Sequence, residues 1–341
     1  MIHTASRHRT LLALLSSAAL LVLLGSSMVG SVSIPLSGLP SALAGLFGAG
    51  EGGIATTLLD LRLGRACAAF ATGAALALAG VMMQALLRNP LADPYVLGIS
   101  SGAAVGALAA LLGGAALWMV DLGALGGAVG VSAVLYMLAR RDLSGSALRD
   151  APADPNTLLL TGVILASACM ALVTLMLSIA PESRLRGMVF WMIGDLAGAG
   201  WRVLPWLVLA GALLFALRIA RQLNVMALHA DTAATLGVDV GRLRRSLFVC
   251  AGILTASAVT TAGSIGFVGL IVPHACRHAF GPDHRVLLPA AALTGGAFLV
   301  LADTLARTVL APQQLPVGVL TSLIGVPVFL FQLHQLNLRR P

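Results

Sequence analysis

Apolar stretches of about 20 residues, the length a helix needs to cross a hydrocarbon layer about 30 Å thick, recur along this 341-residue chain. Only 10% of its residues are charged and 58% are hydrophobic, where a soluble domain carries roughly 25% charged. The runs lack the alternating ten-residue pattern of a barrel strand. Backbone groups in lipid must satisfy one another, so the spanning elements are helices. The fold class expected is therefore an all-α integral membrane protein.

Ten elements are expected: Leu11–Val32, Leu63–Leu87, Val96–Trp118, Leu122–Ala139, Leu158–Ile179, Leu204–Leu217, Ser246–Ile265, Gly266–His274, Leu287–Leu305 and Val317–Leu333. Gly266–His274 is too short to cross at about 1.5 Å per residue and reads as a half-helix shielded by its neighbours. An even count puts both termini on one side. The basic run Arg7, Arg9 ahead of the first span resembles a secretory leader, but a span reaching Val32 is long enough to anchor, so it is counted as retained.

All twenty-one basic residues are arginine and none is lysine. Fifteen fall in loops or helix ends on the side of the termini. Six, Arg62, Arg65, Arg184, Arg186, Arg202 and Arg307, fall opposite. The positive-inside rule makes the termini cytoplasmic, and it accounts for the net charge of +8 without nucleic acid. The cytoplasmic side then holds an unusual insert, Leu223–Arg245, of small, polar and basic residues between long apolar runs. A structured insert kept on one face of a membrane protein suits a soluble partner.

Small-residue faces at Gly73, Ala77, Gly80 and at Gly123, Gly127, Gly130 predict close helix packing. In RNPLADPY (Arg88–Tyr95) two prolines stop helices, and Asn89 and Asp93 can cap a following turn. Ser100 and Ser101 open the third span, either lining a polar path or bonded to their own helix backbone. Cys67, Cys169, Cys250 and Cys276 show no CxxC spacing. His274, Cys276 and His278 alternate, but residues i and i+2 point apart on a helix, so no metal centre is expected. Asp60, Asp195 and Asp303 sit near external helix ends and form no mid-depth relay of the kind a proton-coupled carrier uses.

The blocks GAALALAGVMMQALLRNPLADPYVLGISSGAAVG (Gly73–Gly106), LLLTGV (Leu158–Val163), LGVDVGRLRR at the end of the insert, GSIGFVGLIVPHACRHAFGPDHRVLLP (Gly263–Pro289), LADTLAR (Leu301–Arg307) and LPVGVLTSLIGVPVFLFQL (Leu315–Leu333) run in order. Together they resemble the FecCD family, permease subunits of binding-protein-dependent ABC importers for ferric siderophores, haem and cobalamin. Cobalamin-type members are an especially near likeness.

The resemblance implies a type II importer bundle of ten helices over residues 1–341 as one domain, paired with a second copy or a close paralogue around a central path in the bacterial inner membrane. It implies that the segment within residues 223–245 forms coupling helices against an ABC ATPase subunit, through Ala227, Asp231, Ala234, Leu236, Gly237 and Val238. His229 stands where the family usually has glycine. It implies that Arg62, Arg65 and Arg307 receive acidic residues of a periplasmic substrate-binding protein, with Gly64 in place of the family's usual proline. The family's cytoplasmic gate matches Asn156 and Thr157 beside an atypical Pro155. In the external segment Pro181–Trp201, Arg184 and Arg186 beside Phe190 and Trp191 either meet a large anionic ligand or form an interfacial belt.

A phosphate-binding P-loop needs lysine, so a chain without one requires ATP and its Mg ion to act in a partner, and no cofactor is expected here. The same absence removes a Ser/Lys dyad, and no HExxH motif supports an intramembrane protease. The alternative of another mechanism is an ion-coupled secondary carrier with broken helices.

Overall fold

The computed structural model describes residues 2–30, 32, 39–46, 53–144, 155–228 and 230–338. His229, Arg149, Arg339 and Arg340 lie outside the described residues, as do the side chains of Arg7, Arg141, Pro155, Asn156 and Asp231. Thirteen α-helices make up the described residues: α1 (Ile2–Met28), α2 (Leu39–Leu46), α3 (Ile54–Leu87), α4 (Ile99–Leu112), α5 (Leu117–Ser144), α6 (Pro155–Ile179), α7 (Glu182–Ile193), α8 (Val203–Leu228), α9 (Ala230–Thr235), α10 (Val240–Ala262), α11 (Val268–Phe280), α12 (His284–Thr308) and α13 (Val317–Leu338).

Each of the ten expected elements has its helix. Seven are long and apolar enough to cross a membrane. Two of the others are shorter than a span: α4 has 14 residues and α11 has 13, about 20 Å each. The expected third span ran on to Trp118, but Gly113 and Gly114 break it there, with Gly114 at φ 70. α2, α7 and α9 are additional short helices.

At the centre stands α3. In its most apolar 18-residue window 94% of residues are enclosed by protein, against 17–22% in α1, α5, α6 and α8. Around it pack α1, α2, α8, α10, α11 and α12. In lipid no hydrophobic drive brings helices together, so close backbone approach must supply the attraction. α3 meets this with small residues: Gly73 lies against the Gly295 carbonyl of α12, and Gly80 against that of Gly269 on α11. A second such seam joins α4 and α5, where Gly106 meets Gly123 and Gly102 meets Gly127. Gly130, grouped with that face from its spacing, has open space around it and takes no part.

The α3–α4 connection follows the capping logic of its sequence. Arg88 ends α3 in the left-handed region at φ 49. Asn89 Oδ1 accepts from Leu91 N at 2.9 Å, and Asp93 Oδ1 accepts from Tyr95 N at 2.8 Å, starting the 3-10 turn Pro94–Leu97.

Adding a methyl group at Gly80 forces carbonyl and helix apart, so Gly80→Ala is expected to lower stability in detergent by about 1–3 kcal/mol. Gly130→Ala, with no neighbour within 4 Å, is expected to be neutral or to gain about 0.5–1 kcal/mol from helix propensity. Thermal midpoints of the two purified variants make the comparison, and equal losses would contradict the seam.

Candidate functional site

Four interruptions of helix meet inside the bundle. Gly263 (φ 69) ends α10 and Phe267 (φ 71) precedes α11, leaving residues 264–266 non-helical. Ser264 Oγ pairs with Ser100 Oγ at the start of α4, 2.8 Å away. Ile265 N donates to the Tyr95 hydroxyl at 3.1 Å. From another side, Gly194 ends α7 at φ 89, and its added Cβ would meet Ile265 Cγ1 at 2.7 Å. The Gly194 carbonyl accepts from Gly318 N in the first turn of α13 at 3.2 Å, and Asp195 N donates to Ala262 O at 2.9 Å. Irregular backbone inside a membrane bundle survives only where protein satisfies it, and here each break satisfies another.

Ser100 is buried, and its hydroxyl pairs with that of Ser264, which joins α4 to the α10–α11 turn. Ser101 is half-buried.

The face opposite the termini is fastened by arginines. Arg65 grips Asp303 through Nε and Nη2, with Nη2 at 2.7 Å, and reaches Gln314 Oε1 at 2.8 Å. Arg307 donates to the Ser26 carbonyl at 2.6 Å and stands 3.7 Å from Asp303. Arg62 donates to the carbonyls of Met28 and Val32. All three side chains are largely enclosed by the fold. A guanidinium leaves water at low cost only if its charge and donors are met; Asp303 and the carbonyls of Ser26, Met28 and Val32 meet most of them, and the Arg307 Nε is left with the Asp303 charge alone. Three arginines against one carboxylate still leave this cluster with surplus positive charge. The indole of Trp201 lies against Gly64, where a Cβ would come within 3.2 Å, and donates to Asp60 at 2.9 Å. The space under that ring suits glycine at position 64.

On the same face Arg184 donates to the Leu112 carbonyl, and Arg186 sits 5.4 Å over the Phe190 ring. Both side chains are exposed at the start of α7. From there α7 runs inward to Gly194, so the segment 181–201 begins with a helix directed into the bundle.

The face of the chain termini has its own fastenings. Asn224 Nδ2 donates to Asp283 Oδ1 at 2.7 Å, and His284 N donates back to Asn224 Oδ1 at 2.9 Å, tying the end of α8 to the start of α12. Arg277 of α11 donates to Gln84 of α3 at 3.0 Å. Below them α9 folds back: Ala233 is fully buried, and its carbonyl accepts from Val238 N at 3.0 Å. Gly237 takes the turn at φ 81. Asp239 then caps α10 by accepting from Arg242 N at 2.8 Å. The result is a compact projection with Ala227, Ala234 and Gly237 exposed, Val238 half-buried, and Leu236 presented at 65% exposure.

One side of α6 is bare. Thr157 is exposed at its first turn, and the helix shows the solvent Leu160, Ile164, Ser167, Ala171, Thr174 and Ser178. Thr161, Ser167 and Thr174 turn their hydroxyls onto their own helix carbonyls, leaving an apolar surface of small and medium side chains. His274 and His278 stack edge to face with centroids 4.8 Å apart. Among the described residues no three His, Cys, Asp or Glu side chains gather as metal ligands.

A sequence profile of the FecCD transport family matches residues 18–335. The cobalamin import system permease protein BtuC of Halobacterium salinarum is 43% identical over 284 residues, 82% of this chain and 73% of that protein. The vitamin B12 import system permease protein BtuC of Escherichia coli is 42% identical over 279 residues, 80% of this chain and 82% of that one. A solved inward-facing structure of a metal-chelate type ABC transporter superposes with a TM-score of 0.81 at 29% identity, covering 96% of this chain and 99% of its own.

The outer clasp predicts an asymmetry. Asp303→Leu strands two enclosed guanidinium groups and is expected to cost about 3–5 kcal/mol. Arg65→Met leaves Asp303 with Arg307 as partner and is expected to cost less, and the double variant Arg65→Met with Asp303→Leu recovers part of the loss. Thermal midpoints in detergent test this, and equal penalties for the two single variants would contradict it.

Proposed function

The chain belongs to the FecCD transport family, and from that premise we infer how it works as the transmembrane permease of an ABC importer for a bulky metal chelate. Cobalamin heads the cargo classes, because curated cobalamin permeases share over 40% identity across four fifths of the chain. Ferric siderophores and haem are the other chelates of this class.

The termini and the α8–α10 projection are cytoplasmic. Fifteen arginines accumulate on that side against six on the other, and arginine is retained where it need not cross. Energy comes from a separate ATPase subunit, since the chain has no lysine with which to reach a terminal phosphate. That subunit receives the projection through Ala227, Asp231, Ala234, Leu236, Gly237 and Val238, with the exposed Leu236 side chain as its apolar anchor. The single observation that carries this reading is the capped and turned geometry of residues 230–239, which holds the large apolar side chain of Leu236 out among small exposed residues.

Cargo passes beside the bare face of α6, between this chain and a second copy or close paralogue. α6 lacks neighbours on that side, and its hydroxyls are turned inward so that an apolar chelate rim meets small side chains. Asn156 and Thr157 stand at the cytoplasmic end of this face as gate residues. On the external side a delivery protein with acidic residues is drawn to the surplus charge of Arg62, Arg65 and Arg307 and to exposed Arg184 and Arg186, since complementary charge orients and speeds encounter. An ion-coupled carrier would keep a free carboxylate at mid-depth, whereas Asp303 is held by Arg65 near the outer end of its helix.

Replacing Leu236 by Asp together with Asp231 by Ala is expected to lower cargo-stimulated ATP hydrolysis in the reconstituted complex about tenfold, the effect of roughly 1.4 kcal/mol of lost coupling, without moving the permease's thermal midpoint. Unaltered hydrolysis would remove the projection from the ATPase contact.

A further inference from the structure

α5 and α8 both pack on α10 but share no packed seam of their own. Between them a groove of about 800 Å³ opens on the perimeter of the bundle. Its walls include Leu125 and Val129 of α5, Val208 of α8 and Ile253 of α10. Along α5 the lining runs from Asp121 to Tyr136, about 22 Å at helical rise. That exceeds the roughly 15 Å of hydrocarbon in one leaflet, so a whole acyl chain fits lengthwise.

The polar groups of this groove are few and ordered. Ser132 donates to Ala128 O at 2.7 Å and Thr261 to Ser257 O at 2.8 Å, which hides both hydroxyls from the groove. Thr260 also lines it, and its Oγ1 is enclosed without any partner. At the outer mouth Arg202 Nη1 stands 2.8 Å from Asp121 Oδ2, each side chain about one third exposed at 33% and 32%. Trp118 and Trp201 are exposed nearby in sequence at 62% and 57%, residues suited to the headgroup level.

An apolar groove facing lipid gains nothing from water, and left empty it forfeits dispersion contacts along its whole lining. Its mouth offers one positive and one negative group side by side, which matches a zwitterionic headgroup and disfavours a purely anionic one. We propose that this groove seats a zwitterionic phospholipid of the phosphatidylethanolamine type. Its phosphate faces Arg202, its ammonium faces Asp121, and one acyl chain lies between α5 and α8 against α10. The site is independent of the cargo and stands on the membrane-spanning reading alone.

Native mass spectrometry of the full-length protein, released from nanodiscs holding equal phosphatidylethanolamine and phosphatidylglycerol, tests the assignment. The unsubstituted protein should retain the ethanolamine lipid in preference. Ala133→Phe, which fills the groove, should reduce retention about tenfold, and Asp121→Asn with Arg202→Gln should level the two lipids while leaving hydrocarbon retention in place. In parallel, ethanolamine lipid carrying a diazirine in its acyl chain, irradiated with the unsubstituted protein, should mark Leu125, Val129 or Ile253, so the idea stays open to refutation even if Ala133→Phe does not fold. Undiminished retention in Ala133→Phe, adducts confined to other helices, or cross-linking of this groove to a second copy of the chain would each overturn it.

Discussion

Contact between glycine and carbonyl along α3 is the interaction on which the rest of the bundle depends. A helix enclosed over 94% of its most apolar window has no lipid on any side, and its neighbours come close only because Gly73 and Gly80 leave room for the backbones of Gly295 and Gly269. With α3 so filled, it cannot serve as a conduit. The bare helices lie around it, and α6 is among the least enclosed of the long ones at 22%.

The second consequence is where non-helical backbone is permitted. Turns 194–195 and 264–266, the start of α4 and the start of α13 share hydrogen bonds inside the bundle. Half-helices α7 and α11 end and begin there, so they are fixed by the center and reach toward opposite faces. Arginine–aspartate pairs fasten the face opposite the termini, and amide, carboxylate and guanidinium contacts fasten the face of the termini. Between these two belts the interior is almost wholly apolar. The bundle is thus held at both rims and at its core.

Much of this was legible in the chain. Apolar length gave all ten principal helices, including the short α11, because lipid imposes a length that no other context demands. The Gly73–Gly80 face and the caps at Asn89 and Asp93 were readable because each is local, set by residues within one or two turns. What stayed hidden depends on partners far away in sequence. Arg65 and Asp303 are separated by 238 positions, so nothing nearby announced that these arginines are enclosed. Ser100 finds Ser264 across 164 positions. The inward course of α7 was masked by the charged ESRLRG at its start, although Gly194 after an apolar MVFWMI run marked its end. Gly130 shows the converse: spacing alone cannot tell a packed glycine from one with nothing beside it.

The central claim is that this helical bundle moves cargo only when a separate nucleotide hydrolase acts on its cytoplasmic projection. Uptake of radiolabelled cobalamin into proteoliposomes, with the permease present alone, with its ATPase subunit, and with that subunit plus enclosed ATP, tests this directly once the delivery protein is supplied outside. Accumulation confined to the last condition is the predicted result. Accumulation by the permease alone, driven by an ion gradient, would contradict the account.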